Sequence, residues 1–398
     1  MIERTITPIL RKLSETFPVV TLTGPRQSGK TTLCRTVFPD LPYMNLEAPD
    51  LRVMAQEDPR GFLNRIPEGA ILDEIQRVPD LVSYLQTTVD DMKWRNTPVR
   101  YIITGSQQFE VTRSVSQSLA GRTALLRLLP LSIEELSSTD ISPPLDDLLL
   151  SGFYPRIHGE GVAPTQLLGD YLETYIERDI RQLNELRDLS TFEKFVRLCA
   201  GRVGQVLNMN GLAGDAGISH TTAKAWLSLL EASYVVFLLR PWFGNVSKRL
   251  IKSPKLYFYD VGLAAYLLGI QTTQQMSRDP LRGSLFENMV VIEALKYLYN
   301  RGERSNLHYY RDSRGHEVDL LVDAGGKLFP VEIKSGATIV KEFFSSIDKF
   351  TRTPSVTSCP SGAVVYGGAD NFAFKNHSVT AYNSIHRMMS NISIGLPE

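Results

Sequence analysis

The chain has 398 residues, and its 43 basic side chains balance its 43 acidic ones. That length leaves room for two or three domains and a sizeable core, while the zero net charge excludes a global field that recruits nucleic acid, so any such contact must come from a local patch. Cys34, Cys199 and Cys359 are scattered with no CxxC, which argues against zinc and a disulfide framework; with a charged amino terminus, no signal peptide and no apolar run near the ~20 residues of a membrane helix, the expected location is cytoplasmic, with no membrane partner.

Val19-Val20-Thr21-Leu22-Thr23 is β-branched and apolar and reads as a buried strand. Gly24, Pro25, Arg26, Gln27, Ser28, Gly29, Lys30 and Thr31 follow, a glycine and four free positions before Gly-Lys-Thr, and from Thr32 the chain is helix-compatible. Strand, glycine loop and helix form the context a phosphate-binding loop requires, and the implied ligand is a nucleoside triphosphate with magnesium. Gly24 and Gly29 let the backbone turn its N–H groups onto the phosphates, and the helix start adds partial positive charge. Lys30 then holds the β- and γ-phosphates and the Thr31 hydroxyl ligates Mg²⁺.

Leu41–Leu46 is a candidate second strand, and Ala70-Ile71-Leu72-Asp73-Glu74 is an apolar run ending in two acids. Buried strands that stop in carboxylates present them at the carboxyl edge of a parallel sheet, where ligands bind. Asp73 is expected to hold Mg²⁺, and Glu74 to polarise the attacking water. Val99–Thr104 reads as another central strand, with Ser106 at its tip as a contact for the γ-phosphate or the water. Arg122 precedes Leu125–Ser132; it either reaches a neighbouring subunit's γ-phosphate or caps a surface loop.

These segments, with Asn45-Leu46-Glu47 and Asp73-Glu74-Ile75-Gln76, resemble the AAA+ ATPases found in many prokaryotes fused to a C-terminal domain of unassigned function. The resemblance implies ATP as the nucleotide, a ring- or filament-forming homo-oligomer with a hexameric ring favoured, Ser106 as first sensor and Arg122 as arginine finger. The matching ATPase region spans residues 1–165.

Over residues 166–278, Asp170–Ile180 has the spacing of an amphipathic helix, with Glu173, Glu177, Arg178, Asp179 and Arg181 on its charged face. Leu212–Leu230 reads as a helix-turn-helix: a short helix stops at Gly217, Ser219 caps a second, and Tyr234–Leu239 is expected as a wing strand. His220, Thr221, Thr222 and Lys224 either reach a DNA groove or belong to a packing module. Arg240, Lys248, Arg249, Lys252 and Lys255, interleaved with Trp242, Phe243, Tyr257 and Phe258, suit either a phosphate backbone or a solvated hairpin.

Residues 279–398 carry Glu287 near the start of an amphipathic helix, Asp319 on one strand, and Glu332 and Lys334 on the next. Residues two apart on a strand share a face, so Glu332 and Lys334 point together and Asp319 can converge on them. Three carboxylates and a lysine suggest a Mg²⁺ or Mn²⁺ site, with Lys334 orienting water. The pattern looks like the restriction-endonuclease fold of the PD-(D/E)XK superfamily. Val318 stands where the superfamily's motif has proline, a residue many members also lack, and the fold also occurs as a binding module without activity. The expected fold class is therefore α/β throughout: a P-loop AAA+ parallel sheet, a winged-helix middle and a restriction-endonuclease-like C-terminal domain. Two functions follow from it: a metal-dependent DNA nuclease driven by ATP, or an ATPase switch whose last domain only binds a protein or nucleic-acid partner.

Overall fold

The structure, a computed structural model, describes residues 2–106, 118–139, 141, 143–175, 189–243, 253–353 and 361–394. The expected helix beyond Tyr175, the basic residues Lys248, Arg249 and Lys252, and Cys359 lie outside them. Two compact units make up the chain: Met1–Leu131 with Ala232–Tyr234 and Leu298–Arg304, and Ser132–Glu231 with Val235–Tyr297 and Ser305–Glu398.

The first unit is built on five parallel strands, β1 (Val19–Thr23), β2 (Tyr43–Asn45), β3 (Gly69–Asp73), β4 (Arg100–Gly105) and β5 (Thr123–Arg127), in the order β2-β3-β4-β1-β5. This parallel sheet resembles that of P-loop ATPases. Alternate residues serve opposite faces. Val20, Leu22, Ile71 and Ile102 join Leu33, Cys34 and Val37 of helix Lys30–Val37, while Val19, Ala70, Leu72, Tyr101 and Ile103 meet Leu81, Val82 and Leu85 of helix Leu81–Trp94. Cover on both faces explains why these strands are continuous apolar runs rather than alternating ones. Each fully buried Leu, Ile or Val there contributes about 1.5–3 kcal/mol. The order has a consequence for function: β4 lies between β1 and β3, so its carboxyl end sits between the glycine loop and the acids that end β3.

In the second unit, helix Met209–Ala216 stops at Gly217, whose φ of 76° is left-handed, and helix His220–Ala232 follows. Strands β6 (Val236–Leu239) and β7 (Lys255–Phe258) pair antiparallel after it. The rest centres on a mixed sheet of β8 (Leu307–Arg311), β9 (Glu317–Ala324), β10 (Lys327–Lys334), β11 (Ala363–Tyr366), β12 (Phe372–Phe374) and β13 (His377–Ala381), ordered β12-β13-β11-β10-β9-β8. Helix Ser345–Thr351 lays Ile347 and Phe350 on this sheet. Helix Arg282–Asn300 carries Glu287 in its second turn. Among the described residues, no helix is long and apolar enough to cross a membrane.

Candidate functional site

The loop between β1 and helix Lys30–Val37 is shaped by its glycines. Gly24 has a φ of 153°, and a Cβ there would lie 2.0 Å from the Leu128 carbonyl oxygen. Gly29 is left-handed, at φ 92°. Gly24→Ala is accordingly expected to destabilise the first unit by about 2–4 kcal/mol, the range of a steric clash joined to backbone strain; urea unfolding of the variant beside wild type measures it. Pro25 and Ser28 are buried, Arg26 is half-buried, and Gln27 and Thr32 are exposed.

Lys30 is 5% exposed, and its ammonium donates to the Gly24 carbonyl at 2.9 Å and the Pro25 carbonyl at 2.8 Å. Burial lowers its pKa, and the charges of Glu74 and Asp73 partly restore it. The Ser28 hydroxyl is buried in the same loop with no hydrogen-bond partner among the described residues. An ammonium turned onto its own loop, an unsatisfied hydroxyl and a steric cradle admitting only glycine fit a phosphate tail.

Asp73, at the end of β3, gathers three hydroxyls. Thr31 Oγ1 donates to its Oδ2 at 2.8 Å and Tyr43 Oη to the same oxygen at 2.6 Å, while Thr104 Oγ1 donates to Oδ1. Thr31 and Asp73 are thus adjacent, as two groups holding one Mg²⁺ need to be. Tyr43 was not foreseen as a site residue. Its phenol is pushed up by burial and by Asp73.

Glu74 sits at φ 56°, ψ 50°, a left-handed conformation that costs a non-glycine residue of order 1–3 kcal/mol. Its Oε2 accepts from Ser106 Oγ at 3.2 Å and from the Gln76 amide. Gln76 Nε2 also lies 3.4 Å from Ser106 Oγ. Ser106 and Glu74 therefore meet, as β4 lying beside β3 dictates, and Gln76 joins them as a partner that residue spacing alone does not reveal. Arg122 does not join them. It precedes β5 at the amino edge of the sheet, opposite the glycine loop, and Asp90 holds its guanidinium through two contacts of 2.7 and 2.8 Å. That pairing holds the Asp90 carboxyl below its ordinary value.

In the second unit, Glu287, Asp319, Glu332 and Lys334 do come together, around a cation the sequence reading had placed at the surface. Lys255, at the start of β7, is only 2% exposed. Its ammonium lies 2.8 Å from Glu287 Oε1, 2.6 Å from Glu317 Oε1 and 4.0 Å from Asp319 Oδ1. Tyr257 Oη donates to the same Glu287 oxygen at 2.6 Å. Burial works to lower the Lys255 pKa, but Glu287, Asp319 and Glu317 outweigh it and raise it. This corrects the solvent-facing reading for Lys255, Tyr257 and Phe258, which are interior, while Arg240 is exposed.

On the other side of the cluster, Lys334 Nζ is 2.7 Å from Glu332 Oε1 and 3.5 Å from Asp319 Oδ2. The paired register of β9 and β10 ends at Leu320 opposite Val331, and beyond it the Ile333 N–H donates to Asp319 Oδ2 at 2.9 Å. Burial, then the Asp319 charge, push the Glu332 carboxyl up to about 8. Each carboxylate that would ligate a divalent ion is already turned onto an ammonium or a backbone N–H. The described residues include no cluster of three or more His, Cys, Asp or Glu arranged to hold a metal.

Comparison with known proteins matches three stretches of the chain. Residues 16–137 match the family model of an AAA domain, residues 142–274 a domain of unknown function (DUF8612), and residues 282–385 a domain of unknown function (DUF4143). The uncharacterized protein Rv2008c of Mycobacterium tuberculosis is 32% identical over 370 residues, covering 91% of this chain and 79% of its own. The uncharacterized protein Mb2031c of Mycobacterium bovis gives the same values. Among solved structures, the Walker-type ATPase PABY2304 of Pyrococcus abyssi covers 67% of this chain and 96% of its own, at a TM-score of 0.44 and 15% identity.

Proposed function

We propose that this chain, which belongs to the family of the mycobacterial proteins Rv2008c and Mb2031c and is an ATPase by its AAA domain, couples ATP hydrolysis to the engagement of DNA by its second unit. Lys30 grips the β- and γ-phosphates, while Thr31 and Asp73 hold the magnesium. When bound, the ion neutralises charge developing on the transferred phosphoryl group. Glu74 takes a proton from the attacking water, and Ser106 orients that water or the γ-phosphate. Arg122 lies on the edge of the sheet remote from its own loop, so its action is on a neighbouring copy in a ring, after release from Asp90. Light scattering with and without ATP reads that assembly, and a monomer under both conditions removes the role of Arg122 in a neighbour's site.

The observation that carries the DNA reading is the exposed face of helix His220–Ala232. His220, Thr221 and Lys224 point to solvent, Ser219 caps the helix through the Thr222 N–H at 3.0 Å, and a paired hairpin follows. A short second helix presented this way suits a major groove, and the arrangement of helices and hairpin supports a winged helix. The last region, read as nuclease-like, binds without cutting, because Lys255 and Lys334 engage the acids a metal would need. Duplex affinity measured by fluorescence anisotropy is expected to fall about tenfold or more in a Thr221→Glu/Lys224→Glu variant. Unchanged affinity removes this face from DNA recognition. In parallel, wild type is expected to leave duplex, branched and single-stranded DNA intact with Mg²⁺ or Mn²⁺; cleavage that disappears in Glu332→Ala and Lys334→Ala restores the nuclease reading.

A further inference from the structure

Among the described residues of the second unit, Lys255 and Lys296 are both buried, and the burial of Lys255 needs a reason. Lys255 is 2% exposed, and transferring an unpaired ammonium to the interior carries a penalty of several kcal/mol. Such burial is sustained only by close, converging counter-charges. Here two elements deliver them: Glu287 from helix Arg282–Asn300, and Glu317 and Asp319 from alternate positions of β9. The charges around it also include Lys334 against Asp319 and Glu332, and Arg311, whose Nη1 lies 3.7 Å from Glu317.

We infer that Lys255 is the resident cation of this carboxylate cluster, occupying the place a divalent metal would take, so that the C-terminal region binds no metal and Glu287 and Asp319 hold the lysine instead. This deepens the binding-without-cutting reading and rests on it. A divalent ion requires carboxylate oxygens converging at roughly 2.0–2.6 Å on an open point. The Glu287 and Glu317 oxygens converge on the Lys255 ammonium, at 2.8 and 2.6 Å. The ammonium is covalently tethered, so neither chelation nor dilution removes it. The cluster therefore ties β7, helix Arg282–Asn300 and β9 together permanently, whereas a metal-held cluster depends on the metal supply.

The test is Mn²⁺ titration of nucleotide-free protein followed by electron paramagnetic resonance, with Asp73→Asn present throughout to remove the ATPase site. Otherwise intact protein is expected to take up no Mn²⁺ at micromolar concentration. Lys255→Met, which keeps most of the aliphatic stem but vacates the ammonium position, is expected to gain one site, at least tenfold tighter, and to lose it again with Asp319→Asn. Melting should follow the same pattern, with Mn²⁺ raising the melting temperature of Lys255→Met and leaving that of the parent unchanged. Mn²⁺ binding by the parent that disappears with Asp319→Asn or Glu332→Gln overturns the inference. So does a folded Lys255→Met protein that gains no site. If Lys255→Met does not fold, the parent titration with those two carboxamide variants decides the question. Loss of DNA binding in the Thr221→Glu/Lys224→Glu protein bears only on the earlier reading, and metal uptake only on this one.

Discussion

Lys30→Ala is expected to lower ATP hydrolysis by at least about 10²–10³-fold, the loss that follows when one preorganised donor is taken from a developing phosphoryl charge. The size follows from where the ammonium sits. Lys30 is buried at the first position of its helix, and its partners are two carbonyl oxygens of its own loop, at 2.9 and 2.8 Å. Those partners are neutral, so the charge is poorly matched, and burial accordingly depresses its pKa. A phosphate oxygen offers the same ammonium a full opposite charge in a low-dielectric pocket, where a charge-assisted bond is about twice as strong as a neutral one. Alanine removes that gain and leaves the Gly24 and Pro25 carbonyls to find water. The fold should survive, because the sheet core formed by Val20, Leu22, Ile71 and Ile102 does not involve the lysine head. Steady-state phosphate release, with circular dichroism as the control for folding, reads the outcome. Hydrolysis within a few-fold of wild type in a folded variant would remove the phosphate-loop assignment.

The ATPase end of the molecule is legible in the sequence because its chemistry is local. Val19–Thr23 is a strand in the structure as its β-branched run predicts, the helix begins at Lys30, and β3 ends in Asp73. Contacts set by strand order were not legible. Nothing in the spacing says that Tyr43 reaches Asp73 across β2 and β3, or that Gln76 folds back onto Glu74 through a left-handed turn. Arg122 was legible as a polar residue before a strand, but not as the partner of Asp90 from helix Leu81–Trp94. The second unit shows the same limit more sharply. The expected strand pairs are present, with β8 against β9 and β9 against β10. Lys255 reads as a surface residue because four more basic residues stand in the fifteen residues before it, and basic residues in a run suggest solvent. A signal was available in Pro254-Lys255-Leu256-Tyr257-Phe258, where the lysine opens an otherwise apolar strand. A lysine inside such a run calls for acids, and Glu317 and Asp319 share a strand face more than sixty residues later. Only the fold brings them within an ion pair's reach.

Glu74→Gln is expected to leave ATP binding intact and to cut turnover by about 10²–10⁴-fold, the contribution of a positioned general base. Two features make the separation clean. Gripping the triphosphate falls to Lys30 and the loop, and Glu74 contributes there only a through-space charge. The glutamate is also held by donors alone: the Ser106 hydroxyl at 3.2 Å, with the Gln76 amide on the same oxygen. A glutamine oxygen accepts both of those bonds, so the left-handed backbone at φ 56° keeps its anchoring, and what disappears is the capacity to take a proton from water. The same contacts set a second requirement on the native enzyme. While Ser106 and Gln76 occupy Oε2, Oε1 accepts no hydrogen bond among the described residues and is the oxygen expected to face the attacking water, so the pair would set its direction. Gln76→Ala should therefore retain nucleotide affinity and lower kcat by less than Glu74→Gln does, since it loosens the base without removing it. Equilibrium binding of a fluorescent ATP analogue, measured beside phosphate release, separates the two effects. Turnover of Glu74→Gln within a few-fold of wild type would assign the proton transfer to another group, and loss of binding in the same variant would make Glu74 part of the phosphate cradle instead.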